Sequence, residues 1–167
     1  MRTSTKKLTF LSFCTAVAML FSYVEFILPP IISAVPGIKL GLPNIIIIFL
    51  LINFSVKEAA AVSFIRIFLS ALLFGNVLIL AYSISGAVLS LFVQWLFKKT
   101  NRFSLLGISV AGGVFHNLGQ VLCAAIVMQT SEIVYYMAVL LVSGTLAGIA
   151  VGIAAHYLTK TVKLKKF

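Results

Sequence analysis

The chain has 167 residues, 62% of them hydrophobic and only 10% charged, with a formal charge of +10 and no aspartate. Soluble domains run near roughly 45–50% apolar and 25% charged, so this composition excludes an ordinary soluble fold and predicts lipid as the solvent. The thirteen basic residues stand in short clusters beside apolar runs and not along a basic helix interleaved with aromatics, a pattern of membrane anchoring that excludes nucleic acid as the expected partner.

A helix needs about 20 mainly apolar residues to cross a bilayer, so this length predicts an all-α integral membrane protein of about six transmembrane helices, a single domain over 1–167. The first helix is expected at Leu8–Leu28. Arg2, Lys6 and Lys7 before it imitate a signal peptide, but the apolar run is long and no small-residue cleavage site stands clear of it, so it is expected to remain as a helix. Cys14, Ala18 and Ser22 recur at a spacing of four on this helix. Such a stripe lets another backbone approach closely, either within the chain or from a second membrane protein docking there. Cys14 and Cys123 lie in apolar stretches without disulfide or metal spacing. Glu25, near the outer end, either meets a substrate or snorkels outward.

Pro29-Pro30, Pro36-Gly37 and Pro43 then break the pattern, and the stretch from Pro29 to Pro43 reads as a structured loop or re-entrant segment. Non-helical backbone at membrane depth is tolerated only against protein or a water-filled cavity, which makes this loop a candidate lid or site wall; Lys39 and Asn44 are candidates to line it, the alternative for Lys39 being a plain interfacial charge. The second helix, Asn44–Phe54, is too short to span alone at about 1.5 Å per residue. The third, Ala59–Phe74, carries Arg66 near mid-membrane. A charge there costs about 2.5–3.5 kcal/mol on insertion scales, so Arg66 either binds an anionic group of a substrate or serves as counter-ion to Glu25 or to helix carbonyls.

The fourth helix, Val77–Phe97, begins with Asn76 and Tyr82 at its outer end, weaker binding residues for which an aromatic belt is the default role of the tyrosine. In the fifth, Leu105–Met128, the residues Gly113, His116, Asn117 and Gln120 fall at i, i+3, i+4 and i+7 and so share one face. Their donors and acceptors either orient a bound polar molecule or hydrogen-bond neighbouring helices. The sixth helix, Ile133–Leu158, repeats glycine at 144, 148 and 152, again a close-packing surface. His156, near its end, reads as interfacial.

Positive charge falls on every second connection: Arg2/Lys6/Lys7, Lys57, Lys98/Lys99/Arg102 and Lys160/Lys163/Lys165/Lys166. The positive-inside rule then places both termini in the cytoplasm of a multi-pass protein of the cell membrane. No phosphate-binding loop, metal cluster, nucleophile elbow or close carboxylate pair occurs, so neither an enzyme nor a cofactor is expected, and ATP coupling has to come from elsewhere.

Pro36-Gly-Ile-Lys-Leu-Gly-Leu-Pro-Asn44, Arg66 followed by Leu72-Leu-Phe-Gly-Asn76, and Ser109–Gln120 together resemble the Gx transporter family, often labelled heptaprenyl diphosphate synthase component I. The resemblance runs through nearly the whole chain, with Pro43 where the family pattern has Ala. It implies the six-helix fold of the substrate-binding S components of energy-coupling factor transporters. Such a subunit captures a micronutrient outside and docks on a transmembrane coupling protein that carries two ATPases. On this reading Glu25, Lys39, Asn44, Arg66, Asn76, Tyr82, His116, Asn117 and Gln120 hold the substrate, and Cys14, Ala18 and Ser22 meet the coupling protein. The alternative is a membrane accessory subunit of a prenyl diphosphate synthase. The synthase chemistry itself needs magnesium on aspartate-rich motifs, and this chain has no Asp.

Overall fold

A computed structural model describes residues 5–28, 41–129, 135 and 137–162. Their regular structure consists of six helices: α1 Thr5–Ile27, α2 Pro43–Asn53, α3 Val56–Phe74, α4 Val77–Thr100, α5 Leu105–Met128 and α6 Met137–Thr161. The predicted order and number hold, and α5 keeps its expected bounds. The others shift by up to four residues at their ends, for reasons that are local. Ser55 caps α3, its Oγ accepting from Lys57 N at 3.2 Å, so that helix begins before Ala59. Asn101, in the left-handed conformation at φ 54°, ends α4 three residues beyond Phe97.

Four helices, α1, α4, α5 and α6, are long and apolar enough to cross a membrane, which makes the chain a multi-pass membrane protein in a lipid bilayer. α3 has 19 residues but carries Lys57, Glu58 and Arg66, and α2 has 11, or roughly 16 Å. α2 is short because it does not face lipid. Every residue from Ile46 to Leu51 is at most 7% exposed, and the helix is enclosed by α1, α3 and α6. A helix apolar on all sides belongs in a core.

The helices form two groups. α4, α5 and α6 pack as successive antiparallel neighbours, while α1, α2 and α3 pack on one another. α2 against α6 and α3 against α4 join the groups. Glycine sets the spacing in the first group. A Cβ on Gly113 would lie 2.3 Å from the Gly144 carbonyl oxygen, one on Gly148 would lie 2.7 Å from Val110 Cα, and one on Gly119 would lie 2.6 Å from the Ser85 carbonyl oxygen. The Gly144/Gly148/Gly152 repeat is therefore internal packing against α5.

One end of the bundle gathers the charges. Lys7 of α1 pairs with Glu58 of α3, Lys98 of α4 donates to the Leu51 carbonyl at the end of α2, and Asn53 donates to Thr159 Oγ1 of α6 at 3.3 Å. The lysine on the last carbonyls of α2 satisfies acceptors that the helix itself leaves open. Outward faces are apolar, with Phe13, Leu20, Leu72, Leu73, Ile126 and Leu146 each more than 60% exposed, as lipid contact requires.

Candidate functional site

Away from the charged end, a cavity of about 90 Å³ lies between the two groups of helices. All six helices reach it: Ser22 and Glu25 from α1, Pro43 and Asn44 from α2, Arg66 and Ser70 from α3, Ser83 from α4, Gly113, His116, Asn117 and Gln120 from α5, and Gly144 from α6. On the scale on which one water takes about 10–15 Å³, the space holds roughly six to nine waters.

Six of the nine residues read from the sequence as substrate-binding line this cavity: Glu25, Asn44, Arg66, His116, Asn117 and Gln120. Asn76 and Tyr82 do not. Asn76 is the cap of α4, its Oδ1 accepting from Ile79 N at 2.8 Å, and so its polarity serves the helix start. Tyr82 is half-buried on α4 while the next residue, Ser83, reaches the cavity, because a helix turns about 100° per residue and neighbours cannot share a face. Lys39 and most of the proline-rich loop lie outside the described residues. Of that loop, Gly41, at φ 75°, and Pro43 border the cavity.

Glu25 turns toward the start of α2, its Oε1 accepting from Leu42 N at 2.7 Å. The carboxylate thereby holds the entry of α2, where backbone N–H groups have no partner within the helix. Arg66 donates from Nη1 to Ser22 Oγ at 3.3 Å, and Ser22 in turn donates to the Ala18 carbonyl at 3.0 Å. Two polar atoms beside it remain unsatisfied: Arg66 Nε and Ser70 Oγ are both buried and have no hydrogen-bond partner among the described residues. They lie one helical turn apart on the cavity face of α3. A buried unpaired donor costs about 1–3 kcal/mol, more when charged, and these two share the cavity-lining face of α3.

On the opposite wall Asn117 donates from Nδ2 to the Leu140 carbonyl at 2.7 Å and to Ser143 Oγ at 3.4 Å, tying α5 to α6. The packing alternative therefore applies to its amide nitrogen. Gln120, within α5, lines the cavity as well. The His116 ring packs on Gly86, where an added Cβ would lie 2.9 Å from Cε1. Phe26 and Phe74, with ring centroids 5.2 Å apart, bound the cavity with apolar surface.

Cys14, Ala18 and Ser22, read as a docking stripe, are 5%, 0% and 8% exposed. The stripe serves the internal packing of α1, and Ser22 belongs to the cavity. Ser70 and Ser83 were not legible as site residues. Ser70 had one signal, its i+4 position from Arg66.

A model of the family described as heptaprenyl diphosphate synthase component I matches residues 14–158, which includes every described cavity residue. No curated protein and no solved structure matches the chain.

Proposed function

The chain belongs to the heptaprenyl diphosphate synthase component I family, and from that membership and the cavity we propose that it is the substrate-binding subunit of an ATP-driven micronutrient importer. It captures a small molecule outside the cell membrane, both its termini facing the cytoplasm, and hands the cargo on through a transmembrane coupling protein that carries two ATPases. The observation that carries this reading is the unsatisfied pair Arg66 Nε and Ser70 Oγ inside a cavity reached by all six helices. A subunit that only anchored an enzyme would have no use for buried donors without partners, since apolar residues of the same volume pack there at lower cost. The protein binds without turnover: its polar groups hold and orient a ligand, and the family resemblance supplies the expectation of the coupling protein.

The family's description favours a second reading, a membrane accessory subunit of a soluble prenyl diphosphate synthase in quinone biosynthesis. Affinity purification of the tagged protein in mild detergent separates the two. Recovery of a membrane coupling protein with paired ATPases, and ATP-dependent uptake that needs them, is the expected outcome. Recovery of a soluble, aspartate-rich synthase whose activity falls when this chain is removed would replace the importer with the accessory subunit.

A further inference from the structure

The guanidinium of Arg66 offers more than charge. Arg66 lines the cavity; its Nη1 donates to Ser22 Oγ at 3.3 Å, while Nε is buried without a partner among the described residues, so the side-on edge that Nε shares with Nη2 keeps a donor to spare. Two parallel N–H groups on that edge match the two oxygens of a carboxylate. Ser70 Oγ, unpartnered on the same face of α3, adds a hydroxyl donor. Glu25 contributes a carboxylate to the same cavity wall, so an incoming dianion would meet like charge where a single negative charge finds one guanidinium. Beyond the charged groups the lining turns to the neutral amides of Asn44 and Gln120 and to the rings of Phe26 and Phe74.

We infer that the ligand is a small monocarboxylate, held side-on by Arg66 and Ser70, with a neutral body between the amides and the aromatic rings. The inference rests on the substrate-binding reading of this cavity and narrows it. A space of about 90 Å³ takes a molecule of roughly six to nine non-hydrogen atoms, the number of waters it would hold. A polyprenyl diphosphate carries more negative charge than one guanidinium beside Glu25 can balance.

The test uses the full chain purified in mild detergent and needs no partner protein, so its result is independent of whether a coupling protein is ever recovered. Thermal unfolding is followed with hexanoate, cyclohexanecarboxylate, benzoate and pyroglutamate, each against its carboxamide, and with phenylphosphonate and geranyl diphosphate. At least one carboxylate raises the unfolding midpoint in a saturable way while its carboxamide does not. Arg66→Lys, which keeps the charge but loses the side-on fork, weakens that binding about ten- to a hundredfold, and Ser70→Ala weakens it about tenfold. If Arg66→Lys fails to fold, Ser70→Ala and the carboxamide comparison decide. Stabilisation by none of the carboxylates, equal binding of the carboxamide, phosphonate or diphosphate, or unchanged affinity in a folded Arg66→Lys would overturn the inference. Binding of a carboxylate with no ATPase partner would leave it standing and remove the importer.

Discussion

Arg66 sits where a charge is hardest to keep, and its surroundings show how the protein tolerates it: one hydroxyl from α1 takes Nη1, and Glu25 on the same cavity supplies an opposite charge. Arg66→Ala is expected to weaken ligand binding by about 1–3 kcal/mol, the range for hydrogen bonds to charged groups, read by titration of the purified protein. It should also lower stability, because the Ser22 hydrogen bond and the positive charge facing Glu25 are removed with the side chain. Asn76 and Asn117 serve as contrasts. Asn76→Ala removes the cap of α4 and should cost about 1 kcal/mol of stability while leaving ligand affinity unchanged. Asn117→Ala cuts the tie to the Leu140 carbonyl, and an interhelical hydrogen bond in a membrane is worth about 0.6–1.7 kcal/mol, so detergent unfolding should shift by that order.

Among the elements, α5 and α6 approach so closely that glycine is obligatory at the contact. A Gly113→Ala methyl would lie 2.3 Å from a backbone oxygen of Gly144, which no rotamer change can relieve. The two helices must part, at a cost of about 1–3 kcal/mol for overpacking, and a cavity wall moves with them. Gly107→Ala on the same helix meets nothing closer than 3.6 Å and should be neutral or mildly stabilising, since alanine gains helix propensity there. Comparing their unfolding midpoints isolates the contact from the loss of glycine as such. α2 depends on a neighbour in another way: Lys98 covers its last carbonyls, and Lys98→Met should lower stability by about 1 kcal/mol, more at low salt than at high.

At the scale of the whole molecule, the contacts Lys7–Glu58, Lys98–Leu51 and Asn53–Thr159 gather the first turn of α1, the α2–α3 connection, the end of α4 and the end of α6 at one end of the bundle. The cavity lies away from that end, toward the start of α2 and the end of α3. If the basic end is cytoplasmic, the cavity opens to the outside. With Cys14 and Cys123 replaced, a cysteine at Arg102 should resist an impermeant thiol reagent in intact cells, and one at Tyr135, which is 85% exposed, should react. The opposite pattern would invert the topology and turn the binding site toward the cytoplasm.

Composition and the run of apolar residues were enough for a membrane bundle of six helices, because the cost of an exposed peptide group in hydrocarbon makes each long apolar run close its hydrogen bonds within itself as a helix. They were also enough for Arg66 and for the face of His116, Asn117 and Gln120, since polar groups in apolar helices stand out and the 3.6-residue period says which of them share a side. What no local pattern carried was the use of each small or polar residue. Asn76 is a cap and Asn44 a cavity residue, though both stand at the start of a helix next to a loop. The stripes Cys14/Ala18/Ser22 and Gly144/Gly148/Gly152 look alike in sequence as surfaces for a partner. Both are spent inside, the first in the core that α1 shares with α2 and α3 and the glycines against α5, an arrangement decided only by which helices pack together. Ser70 became part of the site in the same way: it lies on the face of α3 that tertiary packing turns away from lipid and toward the five other helices.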